Sequence, residues 1–185
     1  MLCIIRPGNL QEGKAIHPFE LKDTLINLEI QDTRGKEMVS DLDPSYFEGA
    51  DAAMLVFDLT APDSFYAIPR WNSELKQYVG DIPKLLIGNK ADRHDARRIS
   101  REQAERLAQQ VNALYFETSI SVSALPFGQR QVRGGRGIFK ALRILIEQLV
   151  ADKHWLPTGA FEAVYLSPLI SLSNLASIVE YIFSY

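Results

Sequence analysis

The chain has almost no cysteine, little histidine and no strong excess of charge. Cys3 is the single cysteine in 185 residues, which excludes an intrachain disulfide and points to a reducing, cytosolic compartment. The three histidines, His17, His94 and His154, are far apart and lack the spacing of metal ligands. A formal net charge of -3 supplies no basic field to gather phosphates, so nucleic acid is not an expected partner. With Gly 11 and Pro 9, neither residue is abundant enough for a fibrous or low-complexity chain. The opening residues do not follow the charged-then-apolar plan of a secretory leader, and no constellation of nucleophile and base is visible.

What is present is a 46% hydrophobic, 23% charged composition and a length that suits one globular domain. Thr24–Asp32 sets Leu25, Leu28 and Ile30 among Asn27, Glu29 and Gln31, an imperfect period of two that predicts a strand on the edge side of a sheet. Ala52–Asp58 and Lys84–Asn89 are short, nearly continuous apolar runs, as strands covered on both faces require, and Ala113–Phe116 is a third. Phe65, Ile68, Trp71, Leu75 and Tyr78 recur at spacings of three and four and predict one buried helix face. Ser100 with Gln103 is a capping box, opening a helix with Ala104, Leu107, Ala108 and Val111 inward. A last helix carries Ile138, Leu142, Leu145, Ile146 and Leu149 and ends near Asp152. This alternation predicts an α/β fold, a mostly parallel sheet with helices on both faces, whose ligands sit at the carboxyl ends of the strands.

Three strand ends carry polar residues: Asp32-Thr33-Arg34-Gly35-Lys36-Glu37, Gly88-Asn89-Lys90-Ala91-Asp92 and Glu117-Thr118-Ser119. In this order they resemble the Asp-x-x-Gly, Asn-Lys-x-Asp and Ser-Ala motifs of Ras-superfamily small GTPases. Tyr46-Phe47-Glu48-Gly49-Ala50-Asp51, Phe57-Asp58-Leu59-Thr60 and Ser64-Phe65 extend the resemblance, which runs from Leu25 to Leu149. It implies a P-loop NTPase-like three-layer sandwich that binds GTP or GDP with magnesium and meets effector or regulatory proteins in signal transduction or vesicle traffic. Asn89, Lys90, Asp92, Ser119 and Ile120 would hold the guanine, Gly35 would face the terminal phosphate, and Asp32 would hold magnesium through a water. A carboxylate at Asp92 suits guanine because it accepts from both N1–H and the exocyclic amine, a pair adenine does not offer. An isolated Asn-Lys-Ala-Asp is only a polar turn; its two companions give it meaning.

The sequence departs from that family in several places. Lys36 stands where a glutamine usually orients the attacking water, and an ammonium has no acceptor for that task, so hydrolysis is expected to be slow or absent. Gly8-Asn9-Leu10-Gln11-Glu12-Gly13-Lys14-Ala15 matches Gly-x-x-x-x-Gly-Lys literally, which makes Lys14 a weak phosphate candidate. Lys14 and Asp32 are too close in sequence to accommodate a helix, a switch and two strands, His17-Pro18 would interrupt a helix, and Ala15 has no hydroxyl for a metal. The G-domain reading therefore covers residues 1–152 and is incomplete at its front, with a pseudo-GTPase that binds partners without cycling as the alternative.

An insert at about 120–136, carrying Arg130, Arg133 and Arg136, is read as a solvated loop in preference to a phosphate or RNA contact. The remainder, 153–185, is an apolar tail in which Pro168, Asn174 and Glu180 break any membrane span. Contact with a membrane surface through it is a weaker expectation than packing on the domain, and no cysteine follows Cys3 to carry a prenyl group.

Overall fold

The computed structural model describes residues 2–7, 16–21, 24–32, 44–124, 130–134 and 136–151. Strands β1 (Leu2–Pro7), β2 (Ile16–Leu21), β3 (Thr24–Asp32), β4 (Ala52–Asp58), β5 (Lys84–Asn89) and β6 (Leu114–Glu117) form one sheet in the order β2-β3-β1-β4-β5-β6. Four helices follow or separate the later strands: α1 (Pro62–Tyr66), α2 (Ile68–Val79), α3 (Arg101–Val111) and α4 (Arg136–Ala151). A separate two-stranded hairpin joins β7 (Ile120–Ala124) to β8 (Arg130–Gly134).

The apolar runs explain the layering. Leu55 and Phe57 of β4 point to one face, Met54 and Val56 to the other, and both sets are buried. On the first face lie Phe65, Ile68, Trp71 and Leu75 of α1 and α2 with Leu107 and Val111 of α3. On the second, Ile138, Leu142, Leu145 and Leu149 of α4 meet the sheet. Burying so many Leu, Ile and Phe side chains, each contributing roughly 1.5–3 kcal/mol, is what drives the three-layer arrangement. The α/β sandwich expected from the alternation is present.

Three expectations change. The strand Thr24–Asp32 is not on the edge, because β2 pairs outside it, Phe19 opposite Ile26. Pro18 is accommodated in β2 because that strand is itself an edge, where a missing amide donor is tolerated. The Phe65–Tyr78 periodicity is split between two helices. Pro69 stands at the start of α2, where its lack of an amide hydrogen costs nothing, whereas a continuous helix would need that donor. Tyr78 is 40% exposed and stacks on Phe47 with ring centroids 4.8 Å apart, so it lies outside the buried stripe. The insert after Ser119 is a paired hairpin over its described residues, Val122 opposite Val132, where a loop was expected.

The largest difference is the direction of β1. It pairs antiparallel with both neighbours, Cys3 opposite Asp32 on β3 and opposite Met54 on β4. Strands β3, β4, β5 and β6 thus share one direction while β1 and β2 oppose it. The sheet is mixed, with three antiparallel and two parallel pairings. Arg6 anchors the reversed strand: its guanidinium meets Glu29 at 3.2 Å and Gln31 at 2.9 Å on β3, and donates to the carbonyls of Tyr46 and Glu48. A buried arginine needs this full set of acceptors, since unpaired burial of its charge would cost several kcal/mol.

Candidate functional site

Strands β4, β5 and β6 end together at one edge. Asp58 lies opposite Asn89, and Gly88 opposite Glu117, so Asn-Lys-x-Asp leaves the sheet beside Thr118-Ser119. Gly88 is required for this convergence: a Cβ there would stand 2.9 Å from the Tyr115 hydroxyl and 3.1 Å from Leu59 Cδ2.

The loop is tied down on every side. The Thr118 amide donates to the Gly88 carbonyl at 2.8 Å, and the Ala91 amide donates to the Thr118 carbonyl at 3.0 Å. Leu59 donates its amide to the Asn89 carbonyl at 3.0 Å, and Arg93 donates its amide to that of Lys90 at 3.0 Å. Thr118 Oγ1 donates to Asn89 Oδ1 at 3.2 Å, with both residues buried. These bonds hold Lys90 at φ 64, the left-handed region that a long side chain enters only when its surroundings insist.

Asp92 and Ser119 meet directly. The Ser119 hydroxyl donates to Asp92 Oδ1 at 2.6 Å, and this bond is the main reason the Asp92 carboxyl lies below its ordinary pKa. Asp92 is exposed, so the ionised carboxylate that Ser119 holds is open to solvent. Lys90 Nζ lies 2.5 Å from Asp58 Oδ2, while Asp58 Oδ1 accepts from the amide and hydroxyl of Thr60, each at 2.7 Å. Burial pushes the Asp58 carboxyl up, yet the Lys90 ammonium and the two Thr60 donors outweigh it and leave the pKa lowered. Ser64 Oγ accepts from the Asp58 amide at 2.9 Å and secures the start of α1 beneath the same corner.

A second ionic bridge closes β6. Arg97 grips Glu117 through both guanidinium nitrogens, at 3.1 and 2.6 Å, and the Tyr115 hydroxyl donates to the same carboxylate at 2.9 Å. Arg97 chiefly holds the Glu117 carboxyl below the ordinary range, whereas burial first and Glu117 second push the Tyr115 phenol up. Helix α4 starts against this corner, where Gly137 leaves room for the Glu117 carbonyl; a Cβ would approach it to 2.6 Å.

Of the residues expected at a nucleotide site, the fold brings together Asn89, Lys90, Asp92 and Ser119, with Ile120 opening β7 opposite Gly134. Asp32 ends β3 level with Met54, four strand positions short of Asp58 and two strands away, roughly 16 Å by strand geometry. Lys14, Gly35 and Lys36 fall outside the described residues. The literal Gly-x-x-x-x-Gly-Lys segment is framed by two strands: β1 ends at Pro7, opposite Leu28, and β2 begins at Ile16. A phosphate loop works through the amide groups of a helix that starts at its lysine, and β2 is extended where that helix would run. Among the described residues no three of His, Cys, Asp and Glu converge as a metal site, and no helix is long and apolar enough to cross a membrane.

Sequence reasoning passed over Asp58, Thr118 and Arg97 as partners of the loop. Asp58 was in view only as part of Phe57-Asp58-Leu59-Thr60; its position at the end of a buried strand, level with Asn89, was the available signal.

The chain is similar to Ras-related protein Rab-8A of Gallus gallus, 38% identical over 105 residues, covering 56% of this chain and 51% of that one. It is similar to Rab-10 of Caenorhabditis elegans, 38% identical over 109 residues, 58% of this chain and 54% of that one. Similarity to RABF2a of Arabidopsis thaliana is 42% over 100 residues, 54% and 50% of the two chains. The chain spans about half the length of the curated relatives it matches. The Ras family model matches residues 10–124, more than half the chain and including the whole Asn-Lys-x-Asp corner, so this protein belongs to the Ras family.

Proposed function

We propose that the chain is a guanine-recognising small GTPase relative acting in vesicle traffic or signal transduction, with GTP hydrolysis impaired or absent. The observation that carries this is Asp92: an exposed carboxylate oriented by the Ser119 hydroxyl at 2.6 Å, on a loop locked by Thr118 and Asn89. Such a carboxylate accepts the paired N–H donors of guanine, and Lys90 lies beside it with its stem available to a purine face. Ile120 would add a backbone contact to the base. GTP or GDP is the ligand of this reading, and effector or regulatory proteins are its partners.

Magnesium, with Asp32 holding it through water and Gly35 meeting the terminal phosphate, belongs to the same proposal, as does weak phosphate contact from Lys14. With lysine at position 36 the attacking water has no amide to orient it, which supports binding without turnover. The compartment is the cytoplasm, with membrane contact at most peripheral.

A second reading, a partner-binding module that does not cycle, is supported by the reversed β1, which brings its first residues to the edge where a phosphate loop would leave the sheet. The test is titration of nucleotide-stripped protein with a fluorescent guanine nucleotide, with and without magnesium, against an adenine analogue and against Asp92→Asn. Saturable guanine-specific binding lost in Asp92→Asn supports the first reading. Absence of binding by a folded sample leaves the second, which partner capture independent of nucleotide would then support.

A further inference from the structure

Both faces of the sheet are buried, but the described helices account for that burial on only one of them. On one side α1, α2 and α3 together cover the strands. On the other, the described residues supply α4, which lies against β5 and β6. A helix with its side chains is about 10–12 Å across, so from that seat α4 extends cover about one strand further, to β4. Strand β3 lies three steps from β5, roughly 14 Å at the usual strand spacing. Yet Leu28 and Ile30 of β3, with Cys3 and Ile5 of β1, belong to the core on the α4 side and have at most 1% of their surface exposed. Ile5 stands opposite Ile30 in the antiparallel pairing, so the four make one apolar strip beside α4.

That strip needs an apolar cover about one helix wide. Among the described residues the element after β1 is the strand β2, and no helix follows β1 to lie over it. Of the segments outside the described residues, 8–15 carries Leu10 as its one large apolar side chain. The segment 33–43 leads from β3 toward Phe47, which packs on the opposite side of the sheet. The segment 152–185 is different. Its Leu172, Leu175, Val179 and Ile182 recur at spacings of three, four and three, the stripe of one helix face, and Glu180 is the one charged residue after Pro168. As a helix, 172–182 would be about 15 Å long. The strip runs about 13 Å along the strands, from Leu28 to the level of Cys3 opposite Asp32. The residues 152–171 that join α4 to the stripe extend up to roughly 3.3 Å each, far more reach than the 14 Å step needs.

We infer that the tail docks the apolar stripe of 172–182 on this strip, as an added helix beside α4 that covers β1 and β3. The tail is then part of the fold: it completes the third layer, and its apolar side chains are committed to the domain in preference to a membrane or a partner protein. This goes beyond the nucleotide reading and does not depend on it.

Cys3 is the single cysteine and lies in the strip, so its thiol reports on the cover directly. The experiment is timed labelling of the native full chain with an aromatic disulfide reagent, at several protein concentrations. Wild type is compared with Leu175→Asp/Val179→Asp, and with Ser177→Asp on the opposite side of the same helix. Wild type and Ser177→Asp should label slowly, and the double variant about tenfold or more faster while keeping a cooperative urea transition. Equal rates in the double variant and wild type, or in the double variant and Ser177→Asp, would overturn the inference. Rapid labelling of native wild type would overturn it too, because the strip would then be open to an outside partner. Protection that grows with protein concentration would assign the cover to a second copy and likewise overturn it. If the double variant loses its cooperative transition, amide exchange of the wild-type chain decides. Protection of 172–182 comparable to that of α4 supports docking, and exchange at the unprotected rate refutes it.

Discussion

Replacing Asp58 with Asn removes one charge from the corner that holds Lys90 and leaves the shape intact, since an amide oxygen still accepts from Thr60. The Asp58 side chain is 22% exposed and that of Lys90 43%, with 2.5 Å between Nζ and Oδ2. For a pair this open to water, screening and side-chain entropy reduce the coupling to about 0.5–1 kcal/mol, far below the bare Coulomb figure. A double-mutant cycle with Lys90→Gln, read by urea denaturation at low salt, isolates that value.

The pH dependence carries the sign. The folded-state pKa of Asp58 is lowered from 3.8, so its contribution is fully present above about pH 5 and fades as pH falls through the folded pKa. Asp58→Asn should flatten that acid limb and match the wild type less closely as pH rises toward neutrality. A coupling energy under about 0.2 kcal/mol at low salt, or an acid limb identical in wild type and variant, would show that the Lys90 ammonium is not held by Asp58 in solution.

Other substitutions test the frame around the site. Gly88→Ala forces a methyl to within 2.9 Å of the Tyr115 hydroxyl and 3.1 Å of Leu59, and overpacking of about 1–3 kcal/mol should lower the denaturation midpoint. Arg6→Met leaves the carboxylate of Glu29 buried without its 3.2 Å cation and frees two carbonyls, so a loss of about 3–5 kcal/mol is expected, measured by urea unfolding. Glu29→Gln with Arg6→Met should recover part of it. Ser100→Ala removes the hydroxyl that accepts from the Gln103 amide at 3.2 Å and should cost about 1 kcal/mol, visible as a lower melting temperature with an unchanged spectrum.

Legibility in the sequence followed how local each signal was. The Ser100 capping box could be read because its two bonds lie within four residues, and both are present, the Gln103 side chain accepting from the Ser100 amide at 2.8 Å. The apolar runs Ala52–Asp58 and Lys84–Asn89 announced buried strands because burial on both faces leaves no polar alternation to misread. Asn89, Lys90, Asp92 and Ser119 were legible as a group through their resemblance to a known order of motifs. What failed to show was anything fixed by partners distant in sequence: the ion pair of Lys90 with Asp58, the grip of Arg97 on Glu117, and the pairing that put β2 outside β3. The hairpin of β7 and β8 was missed although Ile120, Val122 and Ala124 alternate with Ser121 and Ser123, because its other strand, Arg130–Gly134, has Val132 as its one apolar side chain and gives no alternation to pair with.

The direction of β1 was the least legible feature, and its cause is physical. A short apolar strand fits a central slot in either direction, because side chains alternate between faces whichever way the chain runs and the slot rewards only that alternation. Leu2 and Ile4 face α2, Cys3 and Ile5 face the side of α4, and the apolar pattern alone is satisfied both ways. The deciding contact is polar: Arg6 sits on the α2 face beside Glu29, Gln31 and the Tyr46 and Glu48 carbonyls, and running β1 the other way would move Arg6 to the opposite end of the slot. That single residue ties the orientation of β1 to β3 and to the Tyr46 and Glu48 carbonyls. If Arg6→Met is made and β1 remains in place, amide exchange at Cys3 and Ile5 should stay as slow as at Leu86 in β5, and the orientation must then rest on the apolar contacts instead. Fast exchange confined to β1, with β4 and β5 still protected, is the expected result and would make the Arg6 cluster the lock that keeps the strand reversed.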